Sequence, residues 1–128
     1  IHVRESFQEA INIIEELNDK NLRGVFHCFT GNEEDAKRII KLDGFYLGIG
    51  GVLTFKNSGL EETIKDIELK YLILETDSPY LAPTPHRGKR NESKYILNIA
   101  EKLAKIHNVS IETIAEITTS NAKKLFQL

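Results

Sequence analysis

Four side chains in this sequence are of types that hold cations or move protons, and each stands at the end of a short apolar run: His2, His27, Glu75 and Asp77. Glu75 and Asp77 lie two apart in "YLILETDSP" (71–79), so in an extended chain they share a face and Thr76 takes the other. Two imidazoles and two carboxylates suit zinc, manganese and similar divalent ions, which generate hydroxide near neutral pH. Each residue also has a structural alternative. A strand-end histidine such as His2 often serves as hydrogen-bonded filler, and Glu75 would equally pair with a basic residue of the loop that follows. Cys28, beside His27, is expected to face the opposite way, into the core. His107 falls at a helix C-terminus, where a cation is favoured, and reads as structural.

A second group lies just downstream of the acids. His86, Arg87, Lys89 and Arg90 cluster in "TPHRGKRNE" (84–92). Cations beside an acidic metal site fit an anionic substrate such as a phosphodiester. A solvated loop anchored by arginine–carboxylate pairs is the competing account. Tyr80 is the one aromatic nearby, which gives little support to base stacking. "GIGG" (48–51) lacks the spacing and lysine of a phosphate-binding loop.

These residues need elements to place them. Phe7, Ala10, Ile11, Ile14 and Leu17 recur at helical spacing over 5–20, with acids and amides on the other face. "LRGVFHCFTG" (22–31) is a glycine-bounded apolar run and reads as a strand. Asn32 suits the N-cap of a helix through "EEDAKRIIKL", whose acids come first and bases later. "GFYLGIGG" (44–51) reads as a buried strand with close backbone approach at its end. A short helix over 59–67 and a strand over 70–77 follow. Apolar strands without polar alternation, separated by amphipathic helices, predict a parallel sheet covered on both faces. Residues 76–91 form a loop. Asn91 is expected to cap a helix over 92–107, and Ser110 another running to about Phe126 with a break near Thr119.

Parallel α/β architecture leaves an open doubly wound sheet or part of a barrel, and both gather chemistry at the C-terminal strand ends. The 128 residues suffice for one modest domain. With 17 basic and 19 acidic residues the net charge is −2, so any nucleic-acid contact must use a local patch. No apolar run approaches the ~20 residues of a membrane span. The single cysteine excludes an internal disulfide framework and suits a reducing, cytoplasmic setting. The chain has no methionine and begins "IHVRESF", which leads us to expect a piece of something longer.

"FHCFTG", "FYLGIGGVLTF", "LILETDSPYLAP" and "HRGKRNE", in this order, closely resemble the TatD family of metal-dependent deoxyribonucleases, and the likeness covers essentially the whole chain. One small departure is Ser93, where the family usually has proline. The resemblance implies an amidohydrolase-like (β/α)8 barrel of which this chain supplies the C-terminal half, roughly strands five to eight with their helices and a helical tail. It implies metal ligation by His2, His27 and Asp77, and a catalytic role for Glu75 and Asp77 with two divalent ions (Mg, Mn or Zn). The family's His-x-His pair and metal-bridging glutamate have no counterpart here; they would lie upstream of Ile1. A full barrel takes roughly 250 residues. The expected activity is hydrolysis of DNA phosphodiesters through a metal-activated hydroxide, with the fragment alone inactive. Hydrolysis of another ester, such as aminoacyl-tRNA, and an inert self-associating half barrel are the alternatives. A half barrel exposes strand edges, so the chain is expected to pair with a second copy or with its N-terminal half.

Overall fold

In the computed structural model, which describes residues 1–19 and 21–128, three parallel strands lie in the order in which they occur in the chain: β1 (Gly24–Phe26), β2 (Phe45–Ile49) and β3 (Leu72–Leu74). Gly24 pairs with Phe45 and Leu47 with Leu72, so β2 is central. The N-terminus extends the sheet beyond β1. His2 forms an isolated parallel bridge with His27, the Ile1 amine donates to the Val25 carbonyl at 2.8 Å, and the His27 N–H donates back to Ile1 at 2.9 Å. The strands are shorter than the runs at 22–31, 44–51 and 70–77 because tight turns take over the ends, including single 3-10 turns at Gly51–Thr54 and Leu69–Tyr71.

Helices connect the strands and pack on one face of the sheet, where Phe26, Phe45, Leu47, Ile49 and Leu72 are buried. On the other face Val25, His27, Tyr46 and Glu75 are only partly buried, so the expected cover on both faces is incomplete, as an open half barrel requires. The helices are α1 (Phe7–Leu17), α2 (Glu33–Lys41), α3 (Leu60–Ile64), α4 (Ile96–His107) and α5 (Ile111–Phe126). Ile11, Ile39, Leu47, Ile49, Leu72, Ile99, Leu103 and Ile114 are fully buried. Each removes roughly 1.5–3 kcal/mol worth of apolar surface from water. The predicted helix over 5–20 proves shorter, and its last residue, 20, falls outside the described residues. Leu17, placed on its apolar stripe, is 64% exposed, as Ile13 is largely exposed one turn earlier.

Local signals explain the helix starts. The Asn32 side chain accepts from the Asp35 N–H at 2.9 Å while Asp35 accepts from the Asn32 N–H, a reciprocal cap. Ser110 caps α5 through the Thr113 N–H. Two expectations fail. α5 runs unbroken through Thr119, because the Thr118 hydroxyl donates to the Ile114 carbonyl and so is satisfied inside the helix. Asn91 does not cap α4, which is entered through a 3-10 turn at Ser93–Tyr95; its side chain is used elsewhere.

Candidate metal centre

The C-terminal ends of β1 and β3 bring His27, Glu75 and Asp77 together. His27 Nδ1 lies 2.8 Å from Glu75 Oε1 and Nε2 lies 2.9 Å from Asp77 Oδ1, so the imidazole bridges two carboxylates. One ligand atom from each residue falls within 4.8 Å of the others. The two acids reach the same ring, which bears out the shared face inferred from their spacing. The Glu75 N–H donates to the Ile49 carbonyl, which anchors the base of its side chain to β2.

Glu75 lies across Gly48 of the central strand. A Cβ at Gly48 would collide with the Glu75 carboxylate, so only glycine leaves room for it. Glu75 Oε1 also accepts a short hydrogen bond from the Cys28 N–H. Burial raises the Glu75 carboxyl above the usual range, and the Cys28 N–H and His27 partly offset this.

Cys28 corrects an expectation. Its backbone is left-handed, with φ 49°, and it is half-buried beside the acids instead of facing the core on the opposite side. Burial pushes its thiol up to about 12, helped by a hydrogen bond to Asp77 and by the charges of Asp77 and Glu75. The left-handed turn aims the Cys28 N–H at Glu75, a role that alternation along a strand does not foretell.

His2 stands beside this group. Its ring centroid is 5.7 Å from that of His27, with the planes tilted by 37°, and it is exposed. It is not among the three side chains that share one small volume.

The basic cluster is placed by rings and carbonyls. His86 stacks on Tyr95 at 3.8 Å, and the Arg87 guanidinium lies 3.7 Å over Phe55 while donating to the Ala82 carbonyl. Among the described residues Arg87 has no carboxylate anchor, contrary to the competing account of this loop. Lys89 and Arg90 are exposed and form no ion pair among the described residues. Phe55 was not legible as a partner, since it lies far from the loop in sequence, and Tyr95 was not, since its approach to His86 depends on how the chain turns between them. His107 is half-buried, its Nε2 is without a partner among the described residues, and burial lowers its pKa; the cation expected at that helix end is therefore disfavoured.

The loop itself is bolted to the end of β2. The Thr84 N–H donates to Thr54 Oγ1 at 2.8 Å, Thr84 Oγ1 donates to the Thr54 carbonyl, and the Leu81 carbonyl packs so closely on Gly51 that a Cβ there would clash. Together the strands, helices and rim define a parallel α/β half barrel whose chemistry-bearing side chains gather at the C-terminal strand ends.

Comparison with known proteins gives the family. The family described as "TatD related DNase" matches residues 1–127, and the chain belongs to it. It is 43% identical to the uncharacterized metal-dependent hydrolase YabD of Bacillus subtilis, covering 100% of this chain and 50% of YabD. It is 38% identical to the uncharacterized metal-dependent hydrolase YcfH of Escherichia coli K12, again over 100% of this chain and 48% of YcfH. Among solved structures, YJJV, a TatD homolog from Escherichia coli K12, superposes with a TM-score of 0.91 at 25% identity, over 99% of this chain and 49% of that one. The chain thus spans about half the length of the relatives it matches, as a half barrel should.

Proposed function

We propose that the protein to which this half barrel belongs is a divalent-metal-dependent hydrolase of phosphodiester bonds, acting on DNA. The observation that carries the reading is His27 held between two carboxylates. With an ion on Nε2 the imidazole would be neutral and carry one N–H, which would leave only one of its two close carboxylate contacts as a hydrogen bond. Glu75, fixed by the Cys28 N–H and seated over Gly48, is the hydrogen-bonded partner, and its contact to Nδ1 sets the tautomer. Nε2 then presents a lone pair towards Asp77, an arrangement completed by a cation. The donor set fits a magnesium, manganese or zinc ion held by His27 Nε2 and Asp77, with His2 alongside.

A bound divalent ion would supply water activation and charge stabilisation at phosphorus. The chain's own residues do the rest. Glu75 holds the His27 ring in one orientation, and its raised pKa suits an acid that exchanges a proton near the reacting phosphate. Asp77 offers a second carboxylate oxygen to a nucleophile or an ion. Arg87, kept flat on Phe55 by one carbonyl, has N–H groups left for a phosphate, and His86, Lys89 and Arg90 add positive charge along the same loop. Further ligands for a second ion come, on this reading, from the half of the barrel that these 128 residues do not span, so the chain alone is inactive. An apolar groove of about 430 Å³ between α4 and α5, lined by Leu74, Ile96, Leu97, Ala100, Ile111 and Ala115, supports association with a complementary half or a second copy. A cytoplasmic setting is part of the reading, which the lone cysteine favours.

A hydrolysis assay on the whole protein tests the proposal. DNA cleavage that appears with Mg²⁺ or Mn²⁺ and vanishes with chelator is expected. Hydrolysis of aminoacyl esters with no action on DNA would replace the substrate, and metal-independent behaviour of both would overturn the reading.

A further inference from the structure

Asn91 is 2% exposed, and its donors reach back to the turn that follows Asp77. Its backbone N–H donates to the Pro79 carbonyl at 2.9 Å and its Nδ2 donates to the Tyr80 carbonyl at 2.7 Å. The turn is closed at its other end by the Tyr80 N–H, which donates to the Asp77 carbonyl at 2.6 Å. Leu81 leaves it with a left-handed φ of 52° and its carbonyl against Gly51. Residues 77–81 are therefore gripped at successive carbonyls, and two of the grips come from one asparagine at the far end of the basic loop.

The asparagine is not there for packing alone. Its Oδ1 is buried with no hydrogen-bond partner among the described residues, a penalty that an apolar side chain of similar size would avoid. What the amide provides in exchange is a donor aimed at Tyr80. We infer that Asn91 is a positioning residue for the metal centre: by clamping the 77–81 turn to the end of the basic loop, it sets the carboxylate of Asp77 against His27 Nε2. The inference deepens the proposed function, since it explains how one side of that centre is held, and it makes Asp77 and the cations of 86–90 move together.

A matched control exists at the other end of β3, in α5. Asn121 is 3% exposed, and its Nδ2 donates to the Leu69 and Leu72 carbonyls, both at 2.8 Å, at the opposite end of β3. Either asparagine to alanine should destabilise the chain, so thermal stability alone cannot separate them. The imidazole nitrogen resonances of His27, read by long-range ¹H–¹⁵N NMR on the 128-residue chain at fixed pH, can. Asp77→Asn gives the reference displacement for a disturbed Nε2 contact. Asn91→Ala is expected to move the His27 signals by more than half that displacement, while Asn121→Ala lowers the melting temperature and leaves them in place. If Asn91→Ala does not fold, Asn91→Asp, which keeps the size and the backbone clamp on Pro79 but replaces the Tyr80-directed donor by an acceptor, is read the same way. Equal His27 signals in the Asn91 and Asn121 variants would overturn the inference.

Mn²⁺ titration followed on unsubstituted chain separates this outcome from that of the proposed function. Absence of any metal response when the whole protein is titrated in the same way, with the Asn91 effect intact, would remove the metal reading and leave the positioning role standing.

Discussion

The two ends of β3 use the same kinds of side chain for opposite purposes. At its N-terminal end Asn121 is buried and its amide nitrogen satisfies two carbonyls. At its C-terminal end Glu75 and Asp77 crowd one imidazole, Glu75 is held above its usual pKa, and Asn91 keeps a buried oxygen unpaired among the described residues. The first arrangement relieves every cost it can, as a stabilising contact should. The second accumulates like charge and an unmet acceptor within a few residues, an imbalance that a bound cation would correct. In parallel α/β structures the two ends divide labour in this way, with stability at the N-terminal end of the strands and chemistry at the other.

The contrast yields graded predictions. The largest effect is at the C-terminal end: His27→Ala or Asp77→Ala should abolish measurable Mn²⁺ binding in calorimetry of the whole protein. Retention of wild-type affinity would break the contrast. Glu75→Gln, which keeps the shape but weakens the orienting contact, should lower metal affinity by about 10–100-fold. Gly48→Ala sharpens the point, because the atoms nearest its methyl group belong to Glu75. It should cost about 1–3 kcal/mol in urea unfolding and reduce metal affinity as well. At the other end, Asn121→Ala should cost about 1–3 kcal/mol for its unmet carbonyls and leave metal affinity unchanged.

The smallest effect is a pH dependence. Burial lowers the His107 pKa in the folded chain, so the unfolded chain binds the proton more readily. The contribution is fully present above the unfolded value of about 6.5 and is lost as pH falls below it. His107→Gln should flatten that acid limb in thermal melts between pH 5 and 7. An unchanged limb would show that another group controls it.

Much of this was readable in the residues. Continuous apolar runs gave a parallel sheet, though not the open inner face of a half barrel, and the spacing of Glu75 and Asp77 gave their common face, because both follow from the geometry of an extended chain. Asn32 and Ser110 were legible as caps because a cap acts on residues three positions away. What was not legible depends on backbone twists or distant partners. The left-handed Cys28 breaks the alternation that placed it in the core, and the reach of Asn91 across 11 residues to Tyr80 displaces it from the cap it seemed to form. The stacking of Arg87 on Phe55 joins loops from two different strands. The unbroken α5 depended on a hydroxyl bonded within its own helix. Such features become visible only when the chain is closed on itself.

The seam between Gly51–Thr54 and Leu81–Thr84 has a consequence for how this rim can vary. Two threonine hydrogen bonds and one backbone contact without room for a methyl group make the loops a single hinge-less piece, although some 30 residues of chain separate them. An insertion in either loop would therefore be transmitted to the other. Transplanting the rim between relatives should work only when both loops travel as a pair, and single-loop grafts should fold with the seam open.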